Sequence, residues 1–205
     1  MSPAFRSTPP MRALAALALV AGLGLAGAGH ADTGTQRSVG GVNYAEQLSL
    51  AGQSLQLNGA GIRYKAIFKV YAAGLYLEKP STSLEQISSL PGPKRLSVTM
   101  LREIDANELG RLFTRGMEDN MEHARFSRLV SGVLRISEIF SRHKKLLPGE
   151  TFEMEWVPGQ GTSIKVKGQA QGQPMPEPEF FQALLGIWLG PKPADEQLKK
   201  ELLGG

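Results

Sequence analysis

The 205-residue sequence contains no cysteine. This absence excludes disulfides, a thiolate metal site, a cysteine nucleophile and lipid attachment through cysteine. Histidine is nearly as scarce, with three residues in the chain. Two of them, His123 and His143, lie at no spacing typical of metal ligands or of the base of a catalytic serine. We therefore expect no metal site, no other cofactor and no serine or cysteine hydrolase chemistry.

Long hydrophobic runs are also rare, and the longest extends from Ala13 to Ala28. It follows Arg6 and Arg12 and precedes Gly29-His30-Ala31, the order of charged, apolar and small residues that is typical of a secretory signal. We expect cleavage after Ala31, export across the inner membrane, a periplasmic location and no stable membrane span afterwards. An uncleaved anchor is the alternative, but the run is shorter than the about 20 residues that a spanning helix needs.

The remainder of the chain, residues 32–205, is long enough for one domain with a sizeable core. We expect a flexible lead over residues 32–42 and a single domain over residues 43–205. The chain has 23 Lys and Arg against 19 Asp and Glu, and removal of the two leader arginines lowers the net charge to about +2. So small an excess predicts no nucleic-acid partner.

Strand patterns fill the first half of the domain. Residues 44–57 form strand-like pieces that break at Ala51-Gly52-Gln53, which predicts a hairpin. Residues 62–77 alternate as one further strand region, with the even positions on the core face. Residues 83–89 predict a short helix, and residues 95–101 predict another strand.

Helical periodicity dominates the second half. Asp105 and Glu108 form a capping box for the first helix. Its apolar stripe consists of Leu109, Leu112, Phe113, Gly116, Met117 and finally Asn120. A second helix follows through Phe126 and Phe140. The later elements are a hairpin over 151–157 and 162–167, a buried helix over 180–189 and an amphipathic helix over 194–203. This order predicts an α+β domain in which helices pack over a largely antiparallel sheet.

Two polar residues in apolar settings are candidates for a binding site. Arg63 lies in the aromatic-rich segment 57–78, and a guanidinium stays in an apolar setting only where an anionic or strongly polar group meets it. The alternative is a solvent-facing position beside Lys65 and Lys69. Asn120 must either be bonded internally near the helix end or face a ligand space.

The segment from Leu57 to Glu78 resembles chalcone isomerase-fold proteins, in particular the exported bacterial chalcone isomerase-like group. The similarity returns at Arg102-Glu103-Ile104, at Glu118-Asp119-Asn120 and across residues 183–190. It implies an open-faced β-sandwich in which a large antiparallel sheet is covered by a helical layer. Ligands of this family lie in a cleft between the sheet and the helices.

In the plant isomerases of this family, an arginine and several polar side chains hold and activate the substrate. The resemblance places that arginine at Arg63 and the other positions at Tyr71, Phe113, Asn120 and Ile187. Phe113 and Ile187 carry no hydroxyl, so the network that would position an attacking phenolate is largely missing. The fatty-acid-binding branch of the fold instead holds a carboxylate with an arginine and a tyrosine.

The resemblance therefore implies a non-catalytic binder of a fatty acid, or of another small apolar carboxylate or aromatic ligand. Arg63 and Tyr71 would hold the head group, and the tail would be lined by Phe113, Met117, Ile187 and Trp188. Two alternatives stay open: an isomerase or intramolecular lyase acting on a chalcone-like enone, and a structural or partner-binding envelope protein. A straight strand would separate Arg63 from Tyr71 by about 26 Å, so the head-group site requires a hairpin or bulge within residues 64–68.

Overall fold

The computed structural model describes residues 34–205, and the predicted secretory signal lies outside the described residues. The strands in chain order are β1 (Gln36–Val39), β2 (Val42–Ala45), β3 (Gln47–Leu50), β4 (Gln53–Lys65), β5 (Phe68–Leu77), β6 (Lys94–Met100), β7 (Ile104–Asp105), β8 (Lys145–Leu146), β9 (Thr151–Val157), β10 (Gly161–Val166) and β11 (Gln169–Ala170). The helices are α1 (Leu84–Ser89), α2 (Ala106–Asp119), α3 (His123–Arg128), α4 (Val130–Ser141), α5 (Pro178–Leu189) and α6 (Glu196–Leu202).

Seven strands form one antiparallel sheet in the order β11-β10-β9-β6-β5-β4-β3. β1 pairs with β2, and β7 pairs with β8, as two separate small sheets. The predicted α+β class with a large antiparallel sheet is confirmed. β1 lies inside residues 32–42, where we expected a flexible lead.

The two faces of the sheet carry different layers. Along β5, Tyr71, Ala73 and Leu75 belong to the main core, which the apolar faces of α2, α4, α5 and α6 complete. The alternate residues Ala72 and Tyr76 pack in a smaller cluster with the β1–β2 hairpin on the other face. The helical layer therefore covers one face of the sheet, and the second face is only partly covered.

The segment predicted as one strand region, residues 62–77, is two strands joined by a tight turn at Ala66 and Ile67. The prediction that its even positions form the core face is wrong, because Tyr64, Ala66 and Phe68 are exposed. Side chains alternate between the two faces only within one strand, so the alternation predicted for residues 62–77 does not hold across the turn. Neither turn residue is glycine, asparagine or proline, although Ala66 adopts a positive φ of 53°, so the usual turn signal is missing.

The helix α2 begins where the sequence predicts it, whereas the helices predicted over 180–189 and 194–203 begin at Pro178 and Glu196. The Asp105 side chain accepts a hydrogen bond from the backbone N–H of Glu108 at 2.8 Å and caps α2. The single helix predicted through Phe126 and Phe140 is wrong, since it divides into α3 and α4 at the buried Leu129. The backbone N–H of Leu129 bonds to the carbonyl of Phe126 in a tight turn. Within residues 34–205, the longest helices fall short of the length and hydropathy required to cross a membrane.

Candidate functional site

The β4–β5 hairpin brings together the two residues expected at a head-group site. Arg63 and Tyr71 are directly paired across the two strands, next to a bulge between Arg63 and Tyr64. The guanidinium carbon of Arg63 lies 5.6 Å from the centre of the Tyr71 ring, within the range of a cation–π contact. The hairpin that the site requires is therefore present, and the two side chains share one location.

These two residues line a cavity of about 160 Å³ between the sheet, α2, α5 and the α5–α6 loop. Five of the six predicted ligand-binding residues meet there: Arg63, Tyr71, Phe113, Ile187 and Trp188. The remaining lining residues are Leu109, Leu112, Arg115, Gly116, Asp119, Phe152, Lys192, Pro193 and Ala194. The cavity thus occupies the sheet–helix cleft that the family resemblance implies.

Tyr71 is a buried hydrogen-bond donor, with 3% of its surface exposed. Its hydroxyl oxygen accepts a hydrogen bond from Trp188 Nε1 at 2.7 Å. Burial raises the pKa of Tyr71 to about 12, although the nearby Arg63 charge and the Trp188 hydrogen bond act to lower it. The phenol is therefore neutral near pH 7, and its hydrogen has no acceptor among residues 34–205.

Arg63 is a cation that pairs with no acid in the part of the chain that the structure describes. Its guanidinium makes no ion pair with an acid of the described residues, and its Nε atom is buried without a hydrogen-bond partner there. Asp195 is close by, but its carboxylate accepts bonds from the backbone N–H groups of Tyr64, Gln197 and Leu198. Arg63 and Tyr71 thus offer two donors to the cavity, and the part of the chain described here leaves both without an acceptor.

The walls of the cavity are apolar and closely packed. The ring centre of Phe113 lies 5.5 Å from those of Phe152 and Trp188, and 5.1 Å from that of Phe140. Such edge and tilted contacts hold aromatic rings in fixed orientations. The inner wall is therefore a rigid apolar surface behind the two donors.

Close approach of two helices forms the next part of the wall. A methyl group on Gly116 of α2 would meet the Ile187 side chain of α5 at 2.9 Å, which is closer than real methyl contacts. Gly116 therefore allows α5 to lie against α2 and places Ile187 at the cavity. The sequence showed Gly116 on the apolar stripe of α2 but not which residue it faces.

Asn120 lies at the end of α2 but does not line this cavity. Its amide nitrogen donates to the carbonyls of Gly116 and Lys192, both at 2.8 Å, and its amide oxygen accepts from the backbone N–H of Lys192 at 2.8 Å. These bonds join α2 to the α5–α6 loop, which is the internal role left open above. Met117, expected along the tail, is buried in the core and is also absent from the lining.

Sequence reasoning missed the open side of the cavity. Leu112 is partly exposed, and Arg115 and Lys192 are solvent-facing, so these lining residues mark the entrance. Arg115 and Asp119 form an exposed ion pair of 3.7 Å there. Leu112 belongs to the predicted stripe of α2, whereas the glycine and prolines of residues 190–193 indicate a loop without indicating what it contacts.

The arrangement is suited to binding an anion rather than to acid–base chemistry. Tyr71 supplies the one hydroxyl among the described lining residues, and its raised pKa makes it a poor base near neutral pH. No group of three His, Asp or Glu side chains within residues 34–205 is placed to hold a metal ion. A bidentate guanidinium with a phenol beside it is a chemically complete receptor for a carboxylate.

Comparisons with known proteins agree with the fold. The family model described as chalcone isomerase-like matches residues 36–204. Among solved structures, a fatty-acid binding protein of Arabidopsis thaliana superposes with a TM-score of 0.62 and 14% sequence identity, over 80% of this chain and 92% of that chain. An identity this low shows the fold alone. A search of curated proteins found no sequence match.

Proposed function

The chain belongs to the chalcone isomerase-like family, and from this premise we propose that it is a non-catalytic binding protein for an apolar carboxylate such as a fatty acid. The observation that carries the proposal is the pair of cavity-facing donors, Arg63 and Tyr71, for which residues 34–205 supply no acceptor. Unmatched buried donors are costly, and a carboxylate accepts from both.

In the bound state, the carboxylate accepts two hydrogen bonds from the Arg63 guanidinium and one from the Tyr71 hydroxyl. The Trp188 bond fixes the hydroxyl so that its hydrogen remains available to the ligand. The apolar part of the ligand lies against Phe113, Phe152 and Ile187, which would leave water on binding. The fold of the plant fatty-acid binding protein supports the proposal, since that neighbour shares the architecture.

The isomerase alternative has less support from the cavity. Phe113 and Ile187 face it where the catalytic members of the family have hydroxyl groups, and Asn120 is bonded to backbone outside it. A structural role predicts an internal acid paired with Arg63, and no such ion pair occurs among the described residues. We further propose that the N-terminal leader directs the protein to the periplasm.

Ligand binding by delipidated protein tests the proposal. Isothermal titration with dodecanoate, with dodecanol as the uncharged control, should show affinity for the carboxylate only. Arg63→Ala should weaken dodecanoate binding by about 10- to 150-fold, because hydrogen bonds to charged groups are worth roughly 1.5–3 kcal/mol. Arg63→Lys should recover part of the loss, since it restores the charge without the bidentate geometry.

A matched control distinguishes the loss of the Arg63 side chain from the loss of one positive charge anywhere on the protein. Lys79→Ala removes an exposed cation beyond the end of β5 and should leave dodecanoate binding unchanged. Equal binding of dodecanol and dodecanoate, or a loss in Lys79→Ala as large as in Arg63→Ala, would overturn the proposal. A chalcone cyclisation rate that depends on Arg63 would favour the isomerase instead.

A further inference from the structure

The end of the β4–β5 hairpin is an exposed apolar projection. We call residues 64–69 the hairpin tip. Ile67 is 85% exposed, which is the highest value among large hydrophobic residues of the described chain, while Phe68 is 55% and Tyr64 42% exposed. Ile67 and Phe68 are consecutive, and contiguous exposed apolar surface on a soluble domain usually marks an interaction site.

Cations surround these apolar side chains. Lys65 and Lys69 flank the turn and are exposed, and the Arg102 guanidinium carbon lies 5.1 Å from the centre of the Phe68 ring. None of the three forms an ion pair with an acid of residues 34–205. Two acids beside the tip have other partners: Asp195 accepts from backbone N–H groups, including that of Tyr64, and Glu103, the neighbour of Arg102 in the chain, bonds to Lys145 at 2.8 Å.

The shape of the tip distinguishes between partners. A two-residue turn is convex and offers no groove for a helix or strand of another protein. Apolar side chains on a convex tip can enter a lipid surface, while the stems of flanking lysines lie along it and their ammonium groups remain at the head groups. Basic residues next to a membrane are attracted to anionic lipids.

We propose that the hairpin tip is a docking site for a membrane surface that contains anionic phospholipids. Ile67 and Phe68 enter the interfacial layer, and Lys65, Lys69 and Arg102 contact lipid phosphates. The turn lies about 10 Å beyond the Arg63–Tyr71 pair along the hairpin, so docking brings the cavity close to the lipid surface. The docking site rests on the tip alone and does not depend on what the cavity binds.

The absence of cysteine makes a site-specific test possible, because one introduced cysteine is the only thiol in the chain. Ile67→Cys, labelled with the environment-sensitive fluorophore NBD, reports insertion of the tip. Leu134→Cys with the same label is the matched control, since Leu134 is an exposed apolar residue on α4. Far-UV circular dichroism checks that both labelled proteins are folded.

The labelled proteins are mixed with vesicles of phosphatidylglycerol and phosphatidylcholine in equal amounts. We expect the fluorescence emission of the label at position 67 to shift to shorter wavelength and to increase in intensity. The emission of the label at position 134 should remain unchanged. The use of a local label separates insertion of the tip from any membrane affinity of the N-terminal leader. An unchanged label at position 67, or equal changes at both positions, would overturn the proposal.

Charge variants test the electrostatic part with the same vesicles. Lys65→Gln/Lys69→Gln should weaken the vesicle binding of the protein labelled at position 67 by about 25-fold, from roughly fivefold for each of the two cations at an anionic surface. Lys79→Gln/Lys200→Gln removes the same charge from exposed sites outside the tip and should change binding by less than about twofold. Equal effects of the two double variants, or equal response to pure phosphatidylcholine, would refute the role of the tip cations.

Discussion

The hydrogen bond between Trp188 and Tyr71 supports both the stability of the domain and the geometry of the site, so we expect Tyr71→Phe to affect both. The substitution keeps the ring and removes only the hydroxyl, which leaves the buried Trp188 Nε1–H without its partner at 2.7 Å. An unsatisfied buried donor costs about 1–3 kcal/mol. We expect the free energy of unfolding to fall by about that amount.

Urea unfolding followed by far-UV circular dichroism measures this change without relying on tryptophan fluorescence, which the substitution itself perturbs. Tyr76→Phe is the matched control, because Tyr76 is equally buried on the other face of the sheet and its hydroxyl makes no hydrogen bond to residues 34–205. That control should change the free energy of unfolding by less than about 0.5 kcal/mol. An unchanged urea slope confirms that both transitions expose the same surface.

The same variant tests the role of the hydroxyl toward the ligand. Removal of one hydrogen bond worth about 0.5–1.5 kcal/mol should weaken dodecanoate binding by about two- to tenfold, with no effect in Tyr76→Phe. If Tyr71→Phe were as stable as Tyr76→Phe and bound dodecanoate as tightly as the unaltered protein, the reasoning about the oriented donor would be refuted.

Three further outcomes follow from the described contacts. Gly116→Ala should destabilise the domain by about 1–3 kcal/mol, because its methyl group would lie 2.9 Å from the Ile187 side chain. Gly110→Ala on the same helix is the control, since the nearest atom to its methyl group would be 3.6 Å away. This control should be neutral or stabilising in the same urea assay. Asn120→Ala should lower the free energy of unfolding by more than about 1 kcal/mol, because it loses three hydrogen bonds to the backbone. The dodecanoate affinity of the folded variant should change by less than about twofold. A larger change, measured by titration calorimetry, would place Asn120 at the ligand. The pKa of Tyr71, raised to about 12 by burial, means that the native state holds this proton more tightly than the unfolded chain does, so the contribution of Tyr71 to the free energy of unfolding is constant below about pH 10 and falls between pH 10 and 12. The free energy of unfolding, measured between pH 10 and 12, should decline less steeply in Tyr71→Phe than in the unaltered protein. An equal decline in both would contradict burial of Tyr71 as the cause of the raised pKa.

Local signals in the sequence were sufficient for most of the fold. The Asp105 cap is confirmed by a 2.8 Å bond, and the hairpin of β9 and β10 carries its turn in Pro158-Gly159-Gln160. These elements were predictable because a cap or a turn is set by a few neighbouring residues. The division of α3 from α4 at Leu129 has no such marker.

The β4–β5 turn shows why the site was harder to predict than the fold. Neither Ala66 nor Ile67 is a residue type that favours tight hairpins. The alternation of residues between the two faces of a strand therefore gives no sign of a break at this point. Pairing with β3 and β6 fixes the two strands from outside the turn. Because that information is non-local, the turn residues themselves did not indicate a hairpin, and only the requirement that Arg63 and Tyr71 converge limited the turn to residues 64–68, where it lies.

Arg63 is half-buried and pairs with no acid of residues 34–205, and the same hairpin explains its position. The pairing of Arg63 with Tyr71 places the guanidinium over an aromatic face, which offsets part of the cost of removing a cation from water but provides no hydrogen-bond acceptor. Asp195, whose carboxylate accepts a hydrogen bond from the backbone N–H of the neighbouring Tyr64, caps α6 and forms no ion pair with Arg63. The proposed carboxylate ligand would therefore meet a cation that lies against the Tyr71 ring and has no ion-pair partner among residues 34–205, so binding would require little reorganisation of the protein.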